Sequence, residues 1–187
     1  MNKPENSYCN NDISNLPFIG QGGQGKVYLL PEHKVIKVFN HKSCCTDQLF
    51  TLQVATHSRF FPKVYDYDDY SIIMDFIDGI EINKYLKKHL LSKKLALELV
   101  ELIREFESLG FKKLDVHLPH IFVQLDESIK VIDPRKSFKE IQPFPYNMLK
   151  GLRNRGSLKT FFEIVKSEYP GIYLSWRESW DKIEREI

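Results

Sequence analysis

The sequence predicts an α+β chain of two lobes, a strand-rich one followed by a helix-rich one. Three observations predict it. Short β-branched and aromatic runs, broken by turn residues, fill the chain from Leu16 to Ile77. After Asp78-Gly79 the apolar residues recur at helical spacing. The length, 187 residues, suits one domain of two small lobes at roughly 150 residues per domain. The expected organisation is a flexible N-terminal arm at 1–15 and a single domain at 16–187, with lobes at about 16–77 and 78–187.

Taken in order, Lys26 to Leu30 and Lys34 to Phe39 read as a hairpin closed by Pro31-Glu32-His33. Leu49, Leu52 and Ala55 or Thr56 suggest a short helix over 47–57, and two more strands follow over 63–67 and 70–77. Ser92 is a candidate N-cap for a helix carrying Leu95, Leu99, Leu102, Ile103 and Phe106, which Gly110 ends. Strands over 121–124 and 129–132 flank an Asp126-Glu127-Ser128 turn. Ser157 opens a helix with Leu158, Phe161, Phe162 and Val165, which Pro170-Gly171 should break before a charged tail. Phe161, Phe162, Trp176 and Trp180 read as helix packing.

Composition narrows the function classes. Apolar residues make up 42% and aromatics 13%, enough for a packed core. Lys and Arg exceed Asp and Glu by only two, which predicts no nucleic-acid partner, and the basic run Lys150, Arg153 and Arg155 reads as a solvated helix face. No apolar stretch approaches the 18 or so residues of a membrane span, and Met1 to Asn15 lacks the apolar core of a secretory signal. Cys9, Cys44 and Cys45 are odd in number and include an adjacent pair, a poor disulfide framework. A cytoplasmic protein is expected.

The sharpest local feature is Gly20-Gln21-Gly22-Gly23-Gln24-Gly25-Lys26-Val27, which satisfies G-x-G-x-x-G-x-V. Glycines let a backbone turn sharply and bring N–H groups close to phosphate oxygens. Such a loop could be a dinucleotide loop, which needs a helix after it, a phosphate-covering loop between two strands, or a plain glycine hairpin. Val35-Ile36-Lys37 follows, with a lysine on an apolar strand that must snorkel or find an anion. Further on stands Lys113-Leu114-Asp115-Val116-His117-Leu118-Pro119-His120, in which His120 lies five residues after Asp115. The strand over 129–132 then ends in Asp133-Pro134-Arg135.

With these elements in this order, the chain resembles the protein kinase-like superfamily over roughly 16–140, most like its reduced RIO-type and small bacterial serine/threonine members. The resemblance implies a two-lobed kinase-like fold, β-rich N-lobe first, that uses ATP with Mg²⁺ or Mn²⁺ to phosphorylate protein Ser/Thr, autophosphorylation included. It implies Asp115 as catalytic base or hydroxyl-orienting group, and Lys37 at the α/β-phosphates. The glycine loop, Gly20, Gln21, Gly22, Gly23, Gln24, Gly25 and Val27, would contact ATP. Met74 falls at the gatekeeper place, and Asp75 to Ile77 at the hinge that meets adenine. His120 and Asp133 fall at the metal-binding places.

The departures are specific. Lys113 and Leu114 replace the His and Arg of H-R-D, His120 replaces Asn, and Asp133-Pro134-Arg135 replaces D-F-G. No A-P-E follows. No glutamate occurs between 41 and 80, so Gln48 is the best-aligned partner for Lys37, with Asp47 one place away. Two alternatives therefore stand beside the kinase: a nucleotide-binding pseudokinase that regulates a partner protein, and a small-molecule phosphotransferase, which the Asp115-Val116-His117 spacing suggests.

Overall fold

The computed structural model describes residues 13–134 and 136–186. Most of the expected arm lies outside the described residues, with Cys9, Arg135 of the turn after Asp133, and Ile187. The architecture is α+β, and the chain divides at Ile77/Asp78 into two compact units, with the short segment at Asp133 belonging to the first.

The first unit is built on an antiparallel sheet of β1 (Phe18–Gly22), β2 (Gly25–Leu30), β3 (Lys34–Phe39), β4 (Val64–Tyr67) and β5 (Ser71–Asp75), in the order β1-β2-β3-β5-β4. The hairpin between β2 and β3 closes at Leu30 and Lys34. Its turn residues Glu32 and His33 take φ of 59° and 53°, a left-handed twist that hairpins favour. Leu30, Ile36 and Ile73 form a buried cluster packed by Ile13, Leu16, Tyr28 and Val38. This places Ile13, in a 3₁₀ turn with Ser14 and Asn15, against the sheet.

Helix α1 (Lys42–Val54) packs on β3, β4 and β5. It starts and ends earlier than the helix expected over 47–57. Its buried residues are Cys45, Gln48, Thr51 and Leu52, while Leu49 is half-buried and Phe50 exposed. Two polar side chains on the inner stripe erase the hydrophobic period that sequence reading depends on. Among the described residues neither Cys44 nor Cys45 forms a disulfide.

The second unit has an antiparallel sheet of β6 (Ile80–Glu81), β7 (Ile121–Val123) and β8 (Ile129–Val131), in that order, and five helices among the described residues. These are α2 (Ile82–Tyr85), α3 (Lys93–Ser108), α4 (Tyr146–Asn154), α5 (Leu158–Glu168) and α6 (Pro170–Glu186). In α3 the Leu95 N–H donates to Ser92 Oγ at 3.0 Å, the N-cap bond. Seven residues of α3, Leu95 to Phe106, are buried along one face, and Gly110 follows the helix at φ 72°. Ser157 holds the position before α5 but makes no side-chain cap.

The break expected at Pro170-Gly171 falls one residue earlier, and the charged tail beyond it is a helix. Only Tyr169 interrupts the helices, and Pro170 begins the 17-residue α6. Proline is tolerated at a first helical position because the N–H it lacks has no intrahelical partner there. Trp176 and Trp180 on α6 are buried, and Trp176 stacks on Phe161 with ring centroids 6.3 Å apart. Gly151 on α4 allows a close approach: a Cβ there would stand 2.5 Å from Leu118 Cγ. Among the described residues no helix is long and apolar enough to cross a membrane.

Candidate functional site

The glycine turn joins β1 to β2, with Gly22 opposite Gly25 and only Gly23 and Gln24 between them. A strand follows the glycines where a dinucleotide loop requires a helix. Gly25 is fixed by packing, since a Cβ would fall 1.9 Å from Val38 O on β3. Gly20, Gly22 and Gly23 would each carry a Cβ into open space. The exposed strand β1, with Gln21, therefore has room above its backbone. Val27 lies half-buried on β2, opposite Lys37.

Lys37 is the chemical centre of the first unit. It sits on β3 between Val27 and Ile72 and is only 7% exposed. Its Nζ donates to Gln48 Oε1 at 2.7 Å and to Asp133 Oδ1 at 2.5 Å. The structure thus brings together three of the sequence-derived residues, from β3, α1 and the segment at Asp133. Burying an ammonium in an apolar setting is costly unless it is paired, and Asp133 supplies the anion. Gln48 is 1% exposed, and its Nε2 meets no acceptor among the described residues. Asp133 adopts φ 57°, a left-handed conformation that aspartate tolerates better than most residues.

At the far end of β5, Met74 is buried opposite Val35. Asp75 N–H donates to Lys63 O at 3.0 Å, and Phe76 N–H to His33 O at 2.8 Å. The Asp75 carboxylate accepts from Lys63 N–H and from Tyr65 O–H, each at 2.8 Å. Among the described residues the Ile77 N–H meets no backbone acceptor.

In the second unit, Asp115 is 5% exposed, whereas His117 two places on is exposed and His120 half-buried. Asp115 Oδ1 accepts from Val116 N–H at 2.8 Å and Met148 N–H at 3.2 Å. Oδ2 accepts from Asn147 N–H at 3.0 Å and from Asn147 Nδ2 at 2.6 Å. The local reason is legible in α4, whose N-cap residue is Pro145 and makes no side-chain cap, and whose first turn has no acid. Asp115 reaches in from another segment to accept the second and third N–H groups of the helix, the work of an N-cap side chain. Burial pushes its carboxyl above the usual carboxylate range, and the donors from Asn147, Met148 and Val116 pull against that rise. Sequence reasoning missed Asn147. The only local signal was a proline before an apolar helix with no acid in its first turn, and that cannot name a distant carboxylate.

The His117 and His120 rings lie edge to face, 6.0 Å between centroids, and His120 O accepts from Ile132 N–H at 2.9 Å. Lys113, two places before Asp115, meets Glu140 at 2.8 Å. Lys136 meets the same carboxylate at 2.6 Å, and together the two cations lower its pKa to about 2.

The residue types suit ATP phosphates: a buried lysine paired with a carboxylate, and glycines with open space beside them. Among the described residues no group of three or more His, Cys, Asp or Glu side chains gathers as a metal site. Mg²⁺ commonly takes only one or two protein ligands and completes its shell with water and phosphate oxygens, so the Asp133 carboxylate fits in kind. ATP with such an ion would supply a transferable phosphoryl group and neutralise its charge.

No protein-family model matches the chain. One curated protein, "Putative serine/threonine-protein kinase YrzF" of Bacillus subtilis (strain 168), is 25% identical over 124 residues, which cover 63% of this chain and 58% of that protein. The chain therefore spans less than two thirds of that relative's length. The similarity is to a protein named as a kinase, and it suggests a kinase-like family for this chain.

Proposed function

We propose that the protein is a minimal ATP- and divalent-metal-dependent kinase acting on protein Ser/Thr, with a two-lobed kinase-like fold. The observation that carries this reading is the buried Lys37 held between Gln48 and Asp133, on the strand paired with the one that follows the glycine turn. Phosphoryl transfer asks mainly for positioning and charge neutralisation, and these residues are of the kinds it uses. In this reading Lys37 exchanges Asp133 for the α/β-phosphates, Asp133 and His120 hold the metal, and the 20–25 backbone contacts the remaining phosphate oxygens. Met74, Asp75 and Ile77 frame the adenine, with the Ile77 N–H as a donor. Asp115 orients or deprotonates the acceptor hydroxyl. An imidazole at His120 favours Mn²⁺ over Mg²⁺. Cys44 and Cys45, which form no disulfide among the described residues, fit a cytoplasmic setting.

A second reading has its own observation. The Asp115 carboxylate is enclosed by four protein donors, and Lys37 faces a neutral amide where a kinase has an acid, which favours a nucleotide-binding pseudokinase.

Incubation with ATP labelled at the γ-phosphate separates the readings. Label on protein, lost in Lys37→Ala, supports the kinase. Label on a small metabolite points to a small-molecule phosphotransferase, and nucleotide binding without any transfer points to the pseudokinase.

A further inference from the structure

A carboxylate offers about four acceptor sites, and all four of Asp115's are filled. Three of the donors are backbone N–H groups, from Val116 and from the first turn of α4. The fourth, Asn147 Nδ2, is the only donor on a rotatable side chain, and at 2.6 Å it is the shortest of the set. Asn147 is half-buried, so part of the residue meets solvent. Turning it away frees one site on Oδ2 while the helix keeps its cap. The backbone pair cannot leave without uncapping α4, which Gly151 holds close against Leu118.

We propose that Asn147 is a positioning residue that clamps Asp115 out of use, and that phosphoryl transfer requires its side chain to release the carboxylate. The proposal rests on the kinase reading of Asp115. In the clamped state the acceptor hydroxyl has no free oxygen on Asp115 to donate to. Release costs one charge-assisted hydrogen bond, so the released state is a minor one at rest. The groups touching the carboxylate are all neutral. Of the charged and titratable side chains on the same segments, Lys113 pairs with Glu140, Arg153 with Glu184, and Lys150 lies over the Tyr146 ring. Lys112 and His117 are exposed, and none of these side chains bonds to the carboxylate. Asp115 thus answers to its burial and to its hydrogen bonds rather than to a neighbouring charge, and losing Asn147 Nδ2 removes a donor that favours its ionised form.

The test is transfer of labelled γ-phosphate from ATP by the full chain, comparing wild type with Asn147→Ala and Asn147→Ser. Both variants keep the α4 backbone donors, and the serine variant serves if the alanine one folds poorly. The expected result is a kcat raised about tenfold, one charge-assisted bond's worth, with KM for ATP unchanged and the acid limb of the kcat profile moved to higher pH. A lower or equal kcat in folded variants, or an acid limb that stays in place, overturns the clamp while wild-type labelling keeps the kinase reading standing. ATP binding without transfer in wild type and both variants overturns the kinase reading, and the clamp with it.

Discussion

Lys37 Nζ lies 2.7 Å from the neutral Gln48 Oε1 and 2.5 Å from the charged Asp133 Oδ1, so one buried ammonium bridges α1 and the segment after β8. The two partners differ in what they give. Gln48 satisfies a donor without adding charge, and Asp133 balances the charge from a backbone held at φ 57°.

Gln48→Leu removes a buried acceptor from a charged donor. The expected cost is about 1.5–3 kcal/mol, the range for hydrogen bonds to charged groups, partly offset because the unpartnered Nε2 disappears as well. Urea denaturation of the variant against wild type measures it, and an unchanged midpoint would mean that the Gln48 bond adds nothing to stability.

Gly25 and Gly23 should behave differently although they stand two residues apart. Gly25→Ala drives a methyl into Val38 O and should destabilise by about 1–3 kcal/mol. Gly23→Ala meets nothing within 4 Å, so its melting temperature should stay near wild type while ATP binding weakens. Melting curves with and without ATP check both.

Much of the fold was readable because its signals are local. Ser92 and Gly110 bracket α3, and Pro31-Glu32-His33 closes the β2–β3 hairpin, each through the conformational preferences of its own residues. Helix α1 was displaced in the reading because Gln48 and Thr51 lie on its buried stripe. The start of α6 was not placed, because Pro170 breaks a helix from within but begins one at its first position. Lys37 and Asp133 were found through chain order and spacing. The enclosure of Asp115 was not, because a cap supplied across 32 residues leaves no mark beside either partner.

Glu140 and Asp115 predict opposite pH effects. The carboxyl of Glu140 drops from 4.5 to about 2 through Lys113 and Lys136, so its contribution to stability is present above 4.5 and lost as pH falls through the folded value. Asp115 is raised above 3.8 by burial, so its contribution is full below 3.8 and is lost as pH rises through its folded value. Urea midpoints from pH 2 to 6 should lose part of their acid sensitivity in Glu140→Gln. Asp115→Asn should instead flatten the decline on the rising side. Unaltered profiles would contradict both assignments.

Asp115→Asn also bears on chemistry. On the kinase reading, turnover of labelled ATP should fall about 10²- to 10⁴-fold, the usual worth of a positioned general base, with ATP binding nearly intact. The amide also points N–H groups at the α4 donors, and the unsatisfied pair should cost about 1–3 kcal/mol. Rates are therefore compared at temperatures where both proteins are folded. Equal turnover would remove Asp115 from the reaction.

If Lys37 forms the phosphate contact of a nucleotide site, the melting temperature with ATP and Mg²⁺ or Mn²⁺ reads it most directly. Nucleotide at about 100 times its Kd adds about 2.7 kcal/mol to stability by mass action, which for a chain of this size is a rise of roughly 5–10 °C. Wild type should show that rise, and Lys37→Ala, folded in the absence of nucleotide, should lose nearly all of it. No rise in wild type at millimolar ATP with either metal, or an equal rise in Lys37→Ala, would contradict the account.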